Sequence, residues 1–137
     1  MSVSKLNIKG RKDPAFYPAH HDIEIEKGNH PVVYICSPLS GAVEHNQAKA
    51  RDYCRFAIEQ GVIPLAPHIY FTQFMDDSNP VERKQAMFMD LILLSKCSEL
   101  WVFGERISRG MAEEIAQAER RGQPIRYFTE ACEEVAQ

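Results

Sequence analysis

Four short apolar runs, separated by segments of helical periodicity, constrain the fold of this chain more than any other feature. The runs are "PVVYIC" (31–36), "VIPLAPH" (62–68), "ELWVFG" (99–104) and "PIRYF" (124–128). Between them, apolar residues recur at helical spacing in 44–61, from about Val81 to 97, and in 106–122. Buried strands that alternate with helices predict an α/β domain with one parallel sheet and helices on both faces.

The length of 137 residues suffices for one domain with its own core. Residues 1–30 are predicted to form an N-terminal extension, in which only "HDIEIE" alternates as an edge strand would. Residues 31–137 are predicted to form the domain. Gly61 and Gly122 are expected to end two of its helices, and Thr129 to cap a short final helix.

Charge and composition exclude several classes of function. Sixteen basic and nineteen acidic residues leave a net charge of −3, so no positive field attracts a nucleic-acid backbone. No apolar run is long enough to span a bilayer, and the N-terminus lacks the apolar core of a signal peptide. The four cysteines form no CxxC pair, and His20 and His21 lack the neighbours of a metal site. We therefore expect a cytoplasmic protein with reduced thiols and no metal, membrane or nucleic-acid partner.

Ligands of parallel sheets bind beyond the carboxyl ends of the strands, which selects the loops "SPLSG", "PHIYF" and "GERISRG". Ser37, Ser40 and Gly41 suit close approach to a phosphate or sugar, but they match no established phosphate motif and equally suit an ordinary turn. His68 follows the second strand and is either structural or part of the cleft. Ser108, two residues before Gly110, is either a helix N-cap or a ligand contact.

Two adjacent glutamates lie near the start of the third predicted helix. At about 100° per residue, Glu114 lies on the flank of the apolar face that Met111 defines, whereas Glu113 lies nearly opposite. An acid in the first turn complements the helix dipole, and this interpretation is sufficient for Glu113. For Glu114 two interpretations stay open: the same dipole complement, or a carboxylate kept ionised for nucleophilic attack at a pocket wall.

A third acid, Asp90, interrupts the apolar run "AMFMDLILL". A carboxylate there is costly unless it is paired, exposed or protonated. Asp90 is therefore either a buried acid with a raised pKa, suited to general acid catalysis, or a side chain that faces solvent or caps a neighbouring element. Asp76 and Asp77, ahead of the same helix, are interpreted as solvated turn sequence.

The segments "VYICSPLSG", "AIEQGVIPLAPHIYF", "LLSKCSELWVFG" and "ISRGMAEEIAQAERRGQPI" resemble the nucleoside 2-deoxyribosyltransferase superfamily, over roughly residues 31–128. The chain is most similar to an uncharacterised branch of small bacterial and phage proteins. The resemblance implies a Rossmann-like or flavodoxin-like architecture. Its most specific part is a glycine and glutamate element, which is matched here by Gly110, Glu114, Ile115 and Ala118.

The resemblance implies an N-glycosidase or deoxyribosyltransferase that acts on a nucleoside or nucleoside 5′-monophosphate without a metal or organic cofactor. Glu114 would attack the anomeric carbon, Tyr34 would hydrogen-bond to Glu114, and Asp90 would protonate the departing base. The implied substrate contacts are Ser37, Pro38, Ser40, Gly41, His68, Gly104, Ser108, Gly110 and Met111. The usual assembly of the superfamily implies a homo-oligomer.

Two positions depart from the transferase pattern. Ser108 replaces an aspartate six residues before the glutamate, and a serine there resembles related hydrolases of deoxynucleoside 5′-monophosphates. Ser98 stands where close relatives carry an aspartate. The first departure favours hydrolysis of a nucleotide, and the second favours a non-catalytic nucleotide- or nucleotide-sugar-binding module of the same fold. A scaffold whose acidic helix faces only solvent would leave the matching small-residue loops unexplained.

Overall fold

A computed structural model describes residues 30–136, so all but the last residue of the N-terminal extension, and its expected strand, lie outside the described residues. The strands are β1 (Val32–Cys36), β2 (Ile63–Leu65), β3 (Glu99–Phe103), β4 (Ile125–Phe128) and β5 (Glu134–Val135). The helices are α1 (Val43–Glu59), α2 (Pro67–Phe71), α3 (Pro80–Ser95) and α4 (Arg109–Arg121). This order confirms the α/β class.

The strands form one sheet in the order β2-β1-β3-β4-β5. The first four are parallel, and β5 is antiparallel to β4 at the edge. β1 and β3 occupy interior positions because their apolar runs can be buried on both faces. The predicted parallel sheet is therefore confirmed for four strands and corrected for the fifth.

Alternate residues of β1 face opposite sides of the sheet. One side, here called the α1 face, packs against α1; its buried residues are Val33, Ile35, Tyr53, Ala57, Trp101, Phe103 and Phe128. The other side, the α4 face, packs against α3 and α4; its buried residues are Tyr34, Cys36, Leu94, Cys97, Leu100, Val102, Met111 and Ala118. The prediction of helices on both faces is confirmed.

Two local predictions need correction. The segment "PHIYF", which was expected to be a loop, is the helix α2, with Pro67 at its first position. Thr129 does not cap a helix, because its Oγ1 accepts the N–H groups of Ala131 and Glu133 in a turn that leads into β5. Cys132 in that turn has a φ of 64°, which no helical residue adopts.

Three helix ends are explained by the residues found there. Asn79 Oδ1 caps α3 by accepting the N–H groups of Val81 and Glu82. Gly61, with a φ of 85°, follows α1, and Gly122, with a φ of 71°, ends α4, as the sequence predicts. No helix within residues 30–136 has the length and apolar character needed to cross a membrane. All four cysteines are free thiols.

Candidate functional site

A cavity of about 160 Å³ lies at the carboxyl end of β1, between the β1–α1 loop, α2, α3 and the start of α4. One water molecule occupies about 30 Å³ of liquid, so this space exceeds a water-sized void and admits an organic ring. The cavity lies where ligands of parallel sheets bind. Its inner residues include Ser37, Asp90 and Glu114, all of which are buried.

Glu114 lines this cavity from α4, whereas Glu113 does not. Glu114 is 7% exposed, and it is buried together with Met111 and Ala118, while Glu113 is exposed, as helical geometry predicts. The dipole interpretation needs correction, because α4 begins at Arg109 and its first turn contains no acidic residue. The field of a helix terminus falls off within that turn, so it accounts for neither glutamate.

Two side chains of β1 hold the Glu114 carboxylate. The Tyr34 hydroxyl donates a buried hydrogen bond of 2.5 Å to Glu114 Oε2. The Cys36 thiol, on the same side of the strand, interacts with the same carboxylate and favours its ionised form. Burial, reinforced by the charge of Glu114, raises the pKa of Tyr34 and of Cys36 well above the ordinary values, so both groups keep their protons. Burial raises the pKa of Glu114 to about 7, although Tyr34 and Cys36 both favour its ionised form.

Asp90 on α3 is a second buried carboxyl group, in different surroundings. It is 8% exposed, so the interpretation of a solvent-facing side chain is wrong. Burial, and then the charge of Glu114, raises the pKa of Asp90 to about 7. Its Oδ1 has no hydrogen-bond partner in the described chain. The hydrogen bond from Tyr34 supports the ionised form of Glu114, whereas Asp90 receives no such support.

Two more polar atoms at the cavity, Ser37 Oγ and His68 Nε2, are buried without a partner among residues 30–136. Burial lowers the pKa of His68 to about 4, which leaves the imidazole neutral at pH 7. Buried polar groups without hydrogen bonds are rare, because each costs about 1–3 kcal/mol. Ser37, His68 and Asp90 therefore present unused hydrogen-bonding groups to a polar ligand.

The start of α4 combines helix capping with cavity lining. Ser108 Oγ accepts the N–H of Met111 at 3.3 Å, and the Ser108 N–H donates to Met111 Sδ at 3.5 Å. Ser108 thus caps the helix, and Ser108, Gly110 and Met111 all line the cavity. A Cβ at Gly110 would lie 3.0 Å from Met87 Cε, so glycine permits the close approach of α3 and α4.

Ser40 also lines the cavity, whereas the predicted contacts Pro38, Gly41 and Gly104 do not. Pro38 lies between two residues that do line it. Gly41, with a φ of 96°, turns the chain into α1. Gly104 donates its N–H to Phe128 O at 2.9 Å and extends the pairing of β3 with β4, away from the cavity. The structure therefore does not bring these three residues to the site.

Sequence reasoning identified His68 of α2 and Asp90 of α3 but missed the other lining residues that these two helices contribute. Arg83, Met87 and Asp90 recur at helical spacing and line the cavity together, so the position of Asp90 carried a usable signal for its neighbours. Phe71 and Met75 line the cavity from α2 and the turn after it. That segment is too short to show a helical period.

Asp76 and Asp77 have different environments. Asp76 is exposed, and its Oδ1 accepts the N–H and the hydroxyl of Ser78 at 3.0 and 2.6 Å. Asp77 is half-buried, lines the cavity and accepts no hydrogen bond from the residues that the structure describes. The interpretation as solvated turn sequence is thus correct for Asp76, whereas Asp77 lies in the same turn but is only partly solvated.

The more exposed part of the cavity lining carries both signs of charge. The acids Asp76, Asp77 and Glu82 accompany the guanidinium groups of Arg83 and Arg109. No set of three or more His, Cys, Asp or Glu side chains in the described part of the chain could hold a metal ion. The arrangement suits an organic ligand that forms several hydrogen bonds.

Comparisons with known proteins agree with this architecture. The family model of a domain of unknown function, DUF7768, matches residues 31–128. No curated protein matches the chain. A solved structure of 2-deoxyribosyltransferase from the psychrotolerant bacterium Bacillus psychrosaccharolyticus is similar, with a TM-score of 0.54 and 18% identity, and the match covers 72% of each chain. This likeness confirms the predicted relationship to deoxyribosyltransferases at the level of the fold.

Proposed function

The chain belongs to the DUF7768 family, and from the chemistry of its cavity we propose that it is an N-glycosidase or deoxyribosyltransferase-like enzyme. Its substrate is a nucleoside or a nucleoside 5′-monophosphate. The observation that carries the proposal is a buried glutamate, Glu114, held by Tyr34 at 2.5 Å and accompanied in the same cavity by a second buried acid, Asp90. Paired carboxyl groups in unlike surroundings are typical of glycosidic bond cleavage.

Glu114 acts as the nucleophile in the first step. Its ionised carboxylate attacks the anomeric carbon and forms a glycosyl ester, while the C–N bond breaks and its electron pair leaves with the base. Asp90 donates its proton to the departing nitrogen, which avoids release of an anionic base. Tyr34 and Cys36 orient the nucleophile and remain protonated throughout, since burial raises the pKa of both groups.

The second step returns the site to its starting state. Asp90, now ionised, accepts a proton from the attacking water or second base, which displaces Glu114 from the anomeric carbon. Water gives hydrolysis, and a second base gives transfer. The side chains named here supply all the acid, base and nucleophile chemistry, and neither step requires a metal or an organic cofactor.

The rest of the cavity lining suits binding of the substrate. The hydroxyl groups of Ser37, Ser40 and Ser108 offer hydrogen bonds to the sugar or its phosphate. Phe71 and Met87 offer apolar surface to the base. A cytoplasmic location and assembly as a homo-oligomer stay predictions, and the mechanism does not depend on them.

A second candidate function is binding without turnover. The unpartnered Ser37 Oγ and His68 Nε2 favour it, because they would be satisfied by a bound nucleotide whether or not a bond breaks. In that case the protein is a nucleotide- or nucleotide-sugar-binding module that uses the same cavity.

Base release separates the two functions. The purified wild type, Glu114→Gln and Glu113→Gln are incubated with each deoxynucleoside and its 5′-monophosphate, and free base is followed by chromatography. We expect release by the wild type and by Glu113→Gln, and a loss of about 10³-fold or more in Glu114→Gln, which cannot form the ester. Release that survives in Glu114→Gln contradicts the assignment. Calorimetric binding without release from any substrate favours the module.

A further inference from the structure

Asp77 is a cavity-lining acid that the proposed reaction does not use. Its charge contributes to raising the pKa of both Asp90 and His68, so its carboxylate lies within electrostatic reach of both side chains. The neighbouring acids are already engaged: Asp76 holds Ser78, and Glu82 Oε1 accepts the N–H of Asp76 at 2.8 Å. Asp77 alone among these three acids has no hydrogen-bond donor from the described chain.

The cavity around Asp77 is built for a ligand with an apolar body and polar edges. Phe71, Met75 and Met87 provide apolar surface. Ser37 Oγ and Asp90 Oδ1 are buried and lack partners in the part of the chain described. A planar base in contact with the apolar surface would place one of its edges near a carboxylate that has no donor.

We propose that Asp77 determines substrate specificity by selecting nucleosides whose base carries an exocyclic amino group. This inference rests on the proposed function, because it places a nucleoside in the cavity. A carboxylate only accepts hydrogen bonds, so an amino group satisfies it, whereas a carbonyl oxygen or a C–H group leaves it unpaired. A site built around such a bond discriminates against the ligand that lacks the donor.

Two pairs of nucleosides isolate the amino group. 2′-Deoxyguanosine and 2′-deoxyinosine differ only in the 2-amino group, and 2′-deoxyadenosine and purine 2′-deoxyriboside differ only in the 6-amino group. Binding of all four is measured by calorimetry to full-length Glu114→Gln, in which the nucleophile is absent, so the readout does not depend on turnover. The same measurement is made after adding Asp77→Ala or, as a matched control, Asp52→Ala, which removes an exposed acid of α1 outside the cavity.

In at least one pair we expect the amino-bearing member to bind about tenfold more tightly, as a hydrogen bond to a charged group allows. The preference should fall to parity in Asp77→Ala and persist in Asp52→Ala. Equal binding within both pairs, a preference that survives in Asp77→Ala, or no binding of any nucleoside would overturn the proposal. If the preference and its loss are seen but the wild type releases no base, the catalytic proposal fails and the role of Asp77 stands.

Discussion

The two faces of the sheet are built in opposite ways. On the α1 face, the ring of Phe103 stacks on those of Tyr53 and Phe128, with centroids 4.2 and 4.9 Å apart. On the α4 face, Tyr34 donates a hydrogen bond to the carboxylate of Glu114, and the Cys36 thiol interacts with the same group. The buried side-chain atoms that lack partners in the described chain belong to Ser37, His68, Asp90 and Gln123, none of which is part of the α1 face.

The residues that stabilise the fold and the residues suited to chemistry therefore lie on opposite faces of one sheet. Aromatic packing on the α1 face stabilises the fold by burial and ring contacts. The α4 face and the cavity beside it contain buried carboxyl groups that lower stability at neutral pH, as functional sites often do.

The largest loss of stability is expected on the α1 face. Phe103→Ala removes a fully buried ring and leaves a cavity between two aromatic neighbours, which should lower the free energy of unfolding by about 3–5 kcal/mol. Denaturant titration measures it. The control Phe88→Ala truncates a ring that is 66% exposed and should change stability by less than about 0.5 kcal/mol. Similar losses in both variants would contradict the assignment of stability to the α1 face.

In the cavity, replacing Asp90 with a neutral residue should increase the free energy of unfolding at high pH. Its pKa in the folded protein is about 7, above the ordinary 3.8, so its contribution to stability is present at low pH and lost as pH rises from about 4 to about 7. Asp90→Asn cannot titrate, and above pH 7 it should be more stable than the wild type by on the order of 1–3 kcal/mol. Unfolding measured from pH 4 to pH 8 provides the comparison.

The matched control for this trend is Asp76→Asn. Hydrogen bonds from Ser78 lower the pKa of Asp76, so its contribution to stability is present at neutral pH and lost on acidification. Its variant should show a pH trend of the opposite sign. If Asp90→Asn follows the wild type in parallel over the whole range, Asp90 does not titrate as described.

A comparable effect is expected when the donor to Glu114 is removed. Tyr34→Phe deprives a buried carboxylate of its 2.5 Å hydrogen bond, which should cost about 1–3 kcal/mol at pH 8. The cost should shrink at pH 5, where Glu114, with a pKa of about 7, is protonated. Base release should fall at least tenfold, because the nucleophile is less well held. Tyr53→Phe, on the α1 face, should change neither quantity, and equal effects of the two variants would refute the positioning role.

A smaller effect on stability than at Phe103, Asp90 or Tyr34 is expected at Gly110. Alanine is favoured over glycine in a helix by about 1 kcal/mol, and the atom that its Cβ would meet at 3.0 Å is the end of the flexible Met87 side chain. Gly110→Ala should therefore change the free energy of unfolding by less than about 1 kcal/mol while raising KM, since Met87 also lines the cavity. An unchanged KM would show that Met87 does not border the substrate.

Much of the fold could be predicted from the sequence because β1 to β4 are apolar runs with helices between them. α2 and β5 could not, since α2 has five residues and β5 two, too few to show a period. Helical geometry separated Glu113 from Glu114 because their burial follows from the apolar stripe of one helix. The partner of Glu114, 80 residues earlier in the chain, came only from the resemblance. The half-buried Asp77 was missed because its burial depends on tertiary packing of a turn.

The most direct test of the account is the identity of the residue that carries the sugar during turnover. The wild type is mixed with a deoxynucleoside, quenched in acid within one turnover, and analysed by intact-protein and peptide mass spectrometry. We predict one added deoxyribosyl group, on the peptide that contains Glu114, also present in Glu113→Gln and absent in Glu114→Gln. An adduct on any other residue, or release of base with no adduct at Glu114, would contradict Glu114 as the nucleophile.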